Sequence, residues 1–273
     1  MQRDPKVLRR NRLLVFTGSL LLAATLYFFL SQGYEGFVEK KRWQQAEDFV
    51  SRGEYSAARE ILEKPWISRQ YRPDALYLKG RLEEFHLGLP RAALISYLTL
   101  VRDYPSLPLS IEARRRIVSL YRERLLDPVQ AVMHLRELIL AAPGNPDDSY
   151  QLADAYFRMG EYALASRQFS QLHQSLEPGV FERDLRYRLA SSLHLEGNPS
   201  EAETLLAALL EESSEDGVAL EAVLILSQIA EDRNLLDVAL KKLDGYLGQD
   251  SQGRLAERRA LLKRLIQKKG NAL

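Results

Sequence analysis

Four histidines and a few acidic pairs are the side chains of this 273-residue chain that could do acid-base or metal chemistry. The histidines are spread along the sequence, at His86, His134, His173 and His194. The nearest approach to a metal trio is His86 with the carboxylates of Glu83 and Glu84. Adjacent residues on a helix point about 100° apart, so these three side chains are not expected to converge on one metal ion.

The other candidates have structural interpretations. Two acidic pairs, Glu211-Glu212 and Glu215-Asp216, flank two serines, and such a run is typical of a solvated loop between helices. His134 has the apolar neighbours Met133 and Leu135. This setting favours a partly buried structural residue over a metal ligand.

The chain has no cysteine, which excludes disulfides, thiolate metal sites, thiol nucleophiles and the lipidated cysteine of a bacterial lipoprotein. It also lacks a G-x-S-x-G elbow, a Walker loop, a G-x-G-x-x-G motif after a strand and an H-E-x-x-H motif. We therefore expect no enzyme, no metal, no cofactor and no small-molecule substrate.

The charge of the chain is unevenly distributed. The formal net charge is +1, but residues 1–12 carry five basic residues and one acidic residue, so the remainder is slightly acidic. This average gives no sign of a nucleic-acid surface.

Residues 13–30 form an uncharged apolar segment directly after this basic cluster. As a helix the segment would be about 27 Å long, close to the thickness of a bilayer core, so we predict a transmembrane helix. The basic residues favour a cytoplasmic N-terminus and export of everything that follows. A cleaved signal peptide is the alternative, because Ser31-Gln32-Gly33 offers a small-x-small site, but the apolar run exceeds the usual signal core.

A unit of alternating small and large residues recurs through the rest of the chain. Its clearest copy has Ala153 and Tyr156, then Gly160, then Ala165 and Phe169. The two alanines would let a pair of helices approach closely, while the large side chains fill the space beside them. The second alanine of each copy recurs at near-constant intervals of 34 to 38 residues, at Ala58, Ala93, Ala131, Ala165, Ala202 and Ala239.

This pattern resembles the tetratricopeptide repeat (TPR), in which a small residue and an aromatic on helix A precede a turn glycine and an alanine on helix B. In the second and third copies the helix-A register is one residue out of phase, at Gly80 and at Val118 or Ser119. The resemblance implies an all-α fold, a right-handed α-solenoid of about six helix hairpins, behind the single transmembrane helix.

The predicted organisation follows from these segments: a basic cytoplasmic N-terminus (1–12), the transmembrane helix (13–30), a linker or helix extension (31–42), the repeat domain (43–251) and a capping helix with a tail (252–273). The stretch from Arg254 to Lys269 is basic and amphipathic, with Leu255, Leu261 and Leu262 on one side. Repeat arrays need such a helix to cover their last apolar face. Contact with anionic lipid or an acidic partner is the alternative role.

The resemblance also implies a concave groove, lined by the A helices, that binds a peptide or helix of a protein partner. The inward positions carried over from the family are Tyr77, Arg81, Arg115, Arg122, Tyr150, Asp154, Phe157, Arg158, Tyr187 and His194. Tyrosine and arginine dominate interface energies because each combines a large contact area with a directional polar end.

We therefore expect an adaptor or assembly factor of the bacterial envelope, held in the inner membrane with its repeats in the periplasm. Its partners would be proteins and, through 13–30, the lipid bilayer, with no nucleic acid. A permanent subunit of a secretion, pilus or export apparatus is the alternative. An enzyme or small-ligand receptor is a third hypothesis, which the missing site chemistry disfavours.

Overall fold

The computed structural model describes residues 36–66, 70–176, 180–212, 217–250 and 253–270. These residues form helices, turns and loops and include no strand, which confirms the all-α prediction. They divide into two compact units, Met1–Leu126 and Asp127–Leu273. The predicted transmembrane segment, 13–30, lies outside the described residues. No helix in the described ranges is long and apolar enough to cross a membrane.

The N-terminal unit consists of five α-helices and one short π-helix in its described part. The first helix, α1, covers 36–51 and so includes much of the predicted linker. The remaining helices are α2 (Tyr55–Glu63), α3 (Arg72–Phe85), α4 (Pro90–Asp103), α5 (Pro108–Ser119) and the π-helix Leu120–Arg124. Consecutive helices pack on one another from α2 to α5.

The C-terminal unit is likewise a succession of helices. Its elements are α6 (Pro128–Ala141), α7 (Pro146–Arg158), α8 (Tyr162–Ser175), α9 (Val180–Glu196), α10 (Pro199–Glu212), α11 (Gly217–Asp232), α12 (Leu236–Asp244), the 3-10 helix Leu247–Gln249 and α13 (Arg254–Gly270). Several helices begin with proline, which suits the first helical position because no intrahelical bond is lost there. Asp127 and Asn145 cap α6 and α7 by accepting hydrogen bonds from Gln130 N and Asp147 N.

The alanines that define the period are all fully buried, one on each even-numbered helix. In the C-terminal unit, Ala165 and Ala202 pack with Phe169, Leu206 and Ala190 in one continuous core. A methyl side chain at these points lets neighbouring helices approach closely enough for the larger residues beside it to interdigitate. The prediction of paired helices at this period is therefore confirmed.

The small residue of the odd-numbered helices also recurs. Ala46, Ala153 and Ala190 are fully buried. In the sixth copy the corresponding position is Ser227, which is also fully buried. In the second copy the small residue, Gly80, stands one position earlier in the repeat than in the other copies. A Cβ added to Gly80 would lie 2.6 Å from Cε1 of Tyr97.

The turn inside each helix pair has one residue with positive φ, five positions before the buried alanine. Glycine occupies this position in four copies, for example Gly160 with φ +80°. In the third and sixth copies the residues are Leu126 (φ 54°) and Asn234 (φ 61°). Asparagine tolerates this region, whereas leucine is strained in it.

Helix α13 covers the end of the C-terminal unit. Leu255 and Leu262 are buried against α11 and α12, while Leu261, predicted on the same side, is exposed. Three arginines of α13 form ion pairs with acidic residues of α11 and α12, namely Arg254 with Glu221, Arg258 with Glu231 and Arg259 with Asp244. The capping role is thus supported by burial and by internal ion pairs that neutralise part of the basic charge.

Replacement of Leu126 by glycine is expected to stabilise the protein. Leu126 is 75% exposed, so the substitution removes little packing. Glycine adopts the left-handed backbone conformation without strain, and this gain exceeds the cost of the greater conformational entropy that glycine gives the unfolded chain. We expect the free energy of unfolding to rise by about 0.5–1 kcal/mol in urea denaturation. Gly160→Ala, the reverse change at the matching turn, should lower it by about the same amount. An unchanged or less stable Leu126→Gly variant would contradict this assignment.

Candidate partner-binding site

The acidic residues that could have formed a catalytic or metal site serve structural roles. Glu83 and Glu84 are both buried on α3 but point to different neighbours. Glu83 accepts hydrogen bonds from Arg59 Nε (2.7 Å) and Ser96 Oγ (2.8 Å). Glu84 accepts one from the Tyr97 hydroxyl (3.0 Å) and pairs with Arg116. No group of three histidine, aspartate or glutamate residues in the described ranges could hold a metal ion.

The remaining chemical candidates are also engaged or isolated. His86 is exposed and stacks on Tyr55, with ring centroids 3.8 Å apart. Glu212 does not lie in a loop, as the sequence suggested, but ends α10 and accepts a hydrogen bond from Arg186 Nη1 at 2.7 Å. This ion pair lowers the pKa of Glu212. Residues 213–216 lie outside the described ranges.

The groove residues predicted in the N-terminal unit do not form one cluster in the contacts described. Tyr77 is half-buried in the core, with its ring 5.8 Å from that of Tyr97. Arg81 is exposed on α3. Arg115 donates a hydrogen bond to Glu112 at 2.8 Å, one turn away on α5. Arg122 lies in the π-helix.

The predicted residues of the C-terminal unit, by contrast, come together where α7 meets α9. The Tyr150 hydroxyl donates a hydrogen bond to Asp184 Oδ2 at 2.5 Å. Burial, followed by this bond, raises the pKa of Tyr150, so the phenol remains a proton donor. Asp154, only 4% exposed, accepts a hydrogen bond from Arg158 Nε at 2.7 Å.

Arg188 of α9 completes this arrangement. Its Nη1 lies 3.7 Å from Asp154 Oδ1, and its guanidinium lies 6.0 Å from the centroid of the Phe157 ring. The first helices of neighbouring pairs therefore share one polar and aromatic surface, here termed the A face of the C-terminal unit. His194 does not extend it: this side chain is only 10% exposed and lies 4.0 Å from Asp232.

An open pocket of about 370 Å³ continues the A face from α9 to α11. We term it the α9–α11 pocket; its lining residues are Asp184, Tyr187, Arg188, Gly217, Val218 and Glu221. Tyr187 is half-buried, and burial followed by the charge of Glu221 raises its pKa. The pocket thus combines an aromatic wall with charged groups of both signs, a composition suited to holding a polar side chain.

Sequence reasoning found Tyr150, Asp154, Phe157, Arg158 and Tyr187 but missed the charged residues between them. A usable signal was present in the spacing. An acidic residue stands 18 positions before the buried alanine in three successive copies, as Asp147, Asp184 and Glu221. Two of these three carboxylates line the α9–α11 pocket.

The C-terminal unit also matches a known family. The family model described as "Tetratricopeptide repeat" matches residues 150–217 and 187–254, which together span α7 to α12. These matches support the tetratricopeptide repeat family that the spacing of small residues suggested. No curated protein matches the sequence at a significant level.

Solved structures show the same fold. YrrB, titled a TPR protein with an unusual peptide-binding site, is 16% identical, with a TM-score of 0.56 over 70% of this chain and 92% of that one. MamA is 16% identical, with a TM-score of 0.52 over 63% of this chain and 95% of that one. TPR-like repeats of a Podosopora anserina putative kinesin light chain are 15% identical, with a TM-score of 0.52 over 69% and 99%. Identities this low establish the fold alone.

The fold and the A face together define the class of molecule. Stacked helix pairs with an exposed row of first helices are a scaffold for protein-protein interaction. In the C-terminal unit, polar and aromatic groups of the kind that such binding uses lie on α7, α9 and α11.

Loss of the Asp154 carboxylate is expected to destabilise the protein much more than loss of its exposed partner. Asp154→Ala leaves Arg188, a partly buried cation, without its nearest counter-ion, so we expect a decrease of about 1–3 kcal/mol in the free energy of unfolding. Arg158→Ala removes a side chain that is 67% exposed and should change the value by less than about 1 kcal/mol. Chemical denaturation followed by circular dichroism measures both. Equal effects would contradict the role assigned to Asp154.

Proposed function

We propose that this protein is a membrane-anchored adaptor or assembly factor of the bacterial envelope that binds a segment of another protein on the A face of its C-terminal unit. The observation that carries the proposal is the continuous surface from Tyr150 to Glu221, built from aromatic and charged side chains on three successive first helices. The tetratricopeptide matches support protein binding as the use of this surface. YrrB supplies a structurally similar protein with a peptide-binding site.

The anchor in this proposal is the apolar segment 13–30, which follows a basic cluster. Its length and lack of charge favour a single membrane crossing with a cytoplasmic N-terminus. The repeats would then lie in the periplasm.

A permanent subunit of a larger membrane machine, such as a secretion, pilus or export apparatus, is the second candidate. The same A face would then be covered at all times. Extraction in mild detergent distinguishes the two candidates. An adaptor is expected to elute largely free of partners, whereas a permanent subunit elutes with its partners in fixed stoichiometry.

Site-directed photocrosslinking tests binding and anchoring together. A photoreactive amino acid replaces Arg158, an exposed residue of the A face, or Arg167, an exposed control on α8. The producing cells are irradiated first, and their membranes are then isolated and washed with alkaline carbonate. We expect the chain to remain in the washed membranes and to form a discrete protein adduct from position 158 but not from 167.

Each possible failure of this experiment has a separate meaning. Release of the chain by carbonate would contradict the membrane anchor. Adducts formed equally from both positions, or from position 167 alone, would contradict the A face as the binding surface.

A further inference from the structure

The α9–α11 pocket has a more specific chemistry than the rest of the A face. Its lining includes two carboxylates, Asp184 from α9 and Glu221 from α11, together with the half-buried Tyr187 ring. On the α11 side the pocket is lined by Gly217, where an added Cβ would meet no atom within 4 Å. The pocket is therefore open for a side chain to enter.

Both carboxylates are only partly used. Tyr150 donates to Oδ2 of Asp184, and Arg254 donates to Oε1 of Glu221. Each of these hydrogen bonds uses one oxygen of its carboxylate. Because a carboxylate accepts several hydrogen bonds, each retains capacity for a further donor.

The one cation that lines the pocket is directed at another helix. Arg188 places Nη1 3.7 Å from Asp154 and its guanidinium over the Phe157 ring, both on α7. Its charge is balanced by Asp154 on α7 and by Asp184 one turn earlier on α9. On the α11 side of the pocket, the carboxylate is that of Glu221.

These features match the shape of a guanidinium group. A guanidinium is planar, carries five donors and can lie on an aromatic ring while it donates to carboxylates at its edges. A lysine ammonium would satisfy the charge but gains less from the ring and from a second carboxylate.

Arg254 of the capping helix already makes one such interaction. It reaches Glu221 from α13, and both side chains remain partly exposed, at 43% and 33%. An arginine that arrives from outside would share or replace this contact. The capping helix therefore carries a built-in competitor for the pocket.

We propose that the α9–α11 pocket receives an arginine side chain of the bound protein segment, between Asp184 and Glu221, and that Arg254 competes with it for Glu221. This inference rests on the proposed function, because it names the chemistry of the segment that the A face binds. It predicts that the bound segment presents at least one accessible arginine.

Calorimetric titration of the full-length chain in detergent with defined peptides tests the proposal. The probes are blocked heptapeptides, Ala-Ala-Gly-Arg-Gly-Ala-Ala and its counterparts with lysine, citrulline or glutamate at the centre. The arginine peptide should bind at least about five times more tightly than the lysine peptide, since the planar guanidinium can lie on the Tyr187 ring while its edges donate to the carboxylates, whereas a compact ammonium gains less from both. The citrulline and glutamate peptides should show no measurable binding.

Variants of the pocket distinguish a direct contact from a change in folding. Glu221→Gln should weaken binding of the arginine peptide at least about five-fold, whereas Glu201→Gln, an exposed carboxylate on α10, should leave it unchanged. Arg254→Gln breaks the same ion pair as Glu221→Gln but should tighten binding, because it removes the competitor. Thermal unfolding of each variant confirms that it remains folded.

Several results would overturn the proposal. Equal binding of the arginine and citrulline peptides, preference for the glutamate peptide, or no binding at millimolar concentration each excludes an arginine pocket. Weaker binding by Arg254→Gln would show that the ion pair supports the site rather than competes for it. A protein adduct at position 158 together with any of these results would leave the proposed function standing and remove only this inference.

Discussion

Two helices can pack closely only where the side chains between them are small, and such a point recurs along the described part of this chain. Each even-numbered helix from α2 to α12 has one fully buried alanine. Around it, larger residues such as Phe169 and Leu206 fill the remaining space. If one of these alanines were larger, the helices would have to move apart and the contacts beside it would be lost.

The binding surface is a consequence of this packing. Because the same nesting repeats from α7 to α11, the first helices of three successive pairs lie next to one another and their outer residues meet. Tyr150 then reaches Asp184, and Arg188 reaches Asp154. The repeated geometry thus converts residues 34 positions apart in the sequence into neighbours. At the end of the unit, α13 buries the last apolar face and contributes Arg254 to the pocket.

Much of the fold could be predicted because the period is set by residues whose role is steric. The buried alanines can be recognised from their repeat positions alone, and their spacing predicted the succession of helices found in each unit. The prediction was weaker where a residue departs from the pattern for a local reason. Gly80 is out of phase because the Tyr97 ring occupies the space where its Cβ would lie. Leu126 adopts a turn conformation that its type does not favour.

The candidate site could be predicted only in part. Aromatic and basic residues on α7 were recognisable from the family resemblance, but their ion pairs depend on the rotation of α9 against α7, which spacing alone does not give. His194 was placed in the groove by register, whereas its side chain is largely buried beside Asp232. Asp184 and Glu221 were missed because single acidic residues on helices are usually solvated, and only their equal distance from the buried alanines distinguishes them.

The central claim is that a buried alanine sets the distance between paired helices, and a matched pair of substitutions on α8 tests it most directly. Ala165 is fully buried, whereas Ala163, two residues earlier on the same helix, is exposed. The account predicts that Ala165→Leu lowers the free energy of unfolding, measured in urea, by about 1–3 kcal/mol through overpacking, while Ala163→Leu changes it by less than about 0.5 kcal/mol. Equal values for the two variants, or a stable Ala165→Leu protein, would contradict it.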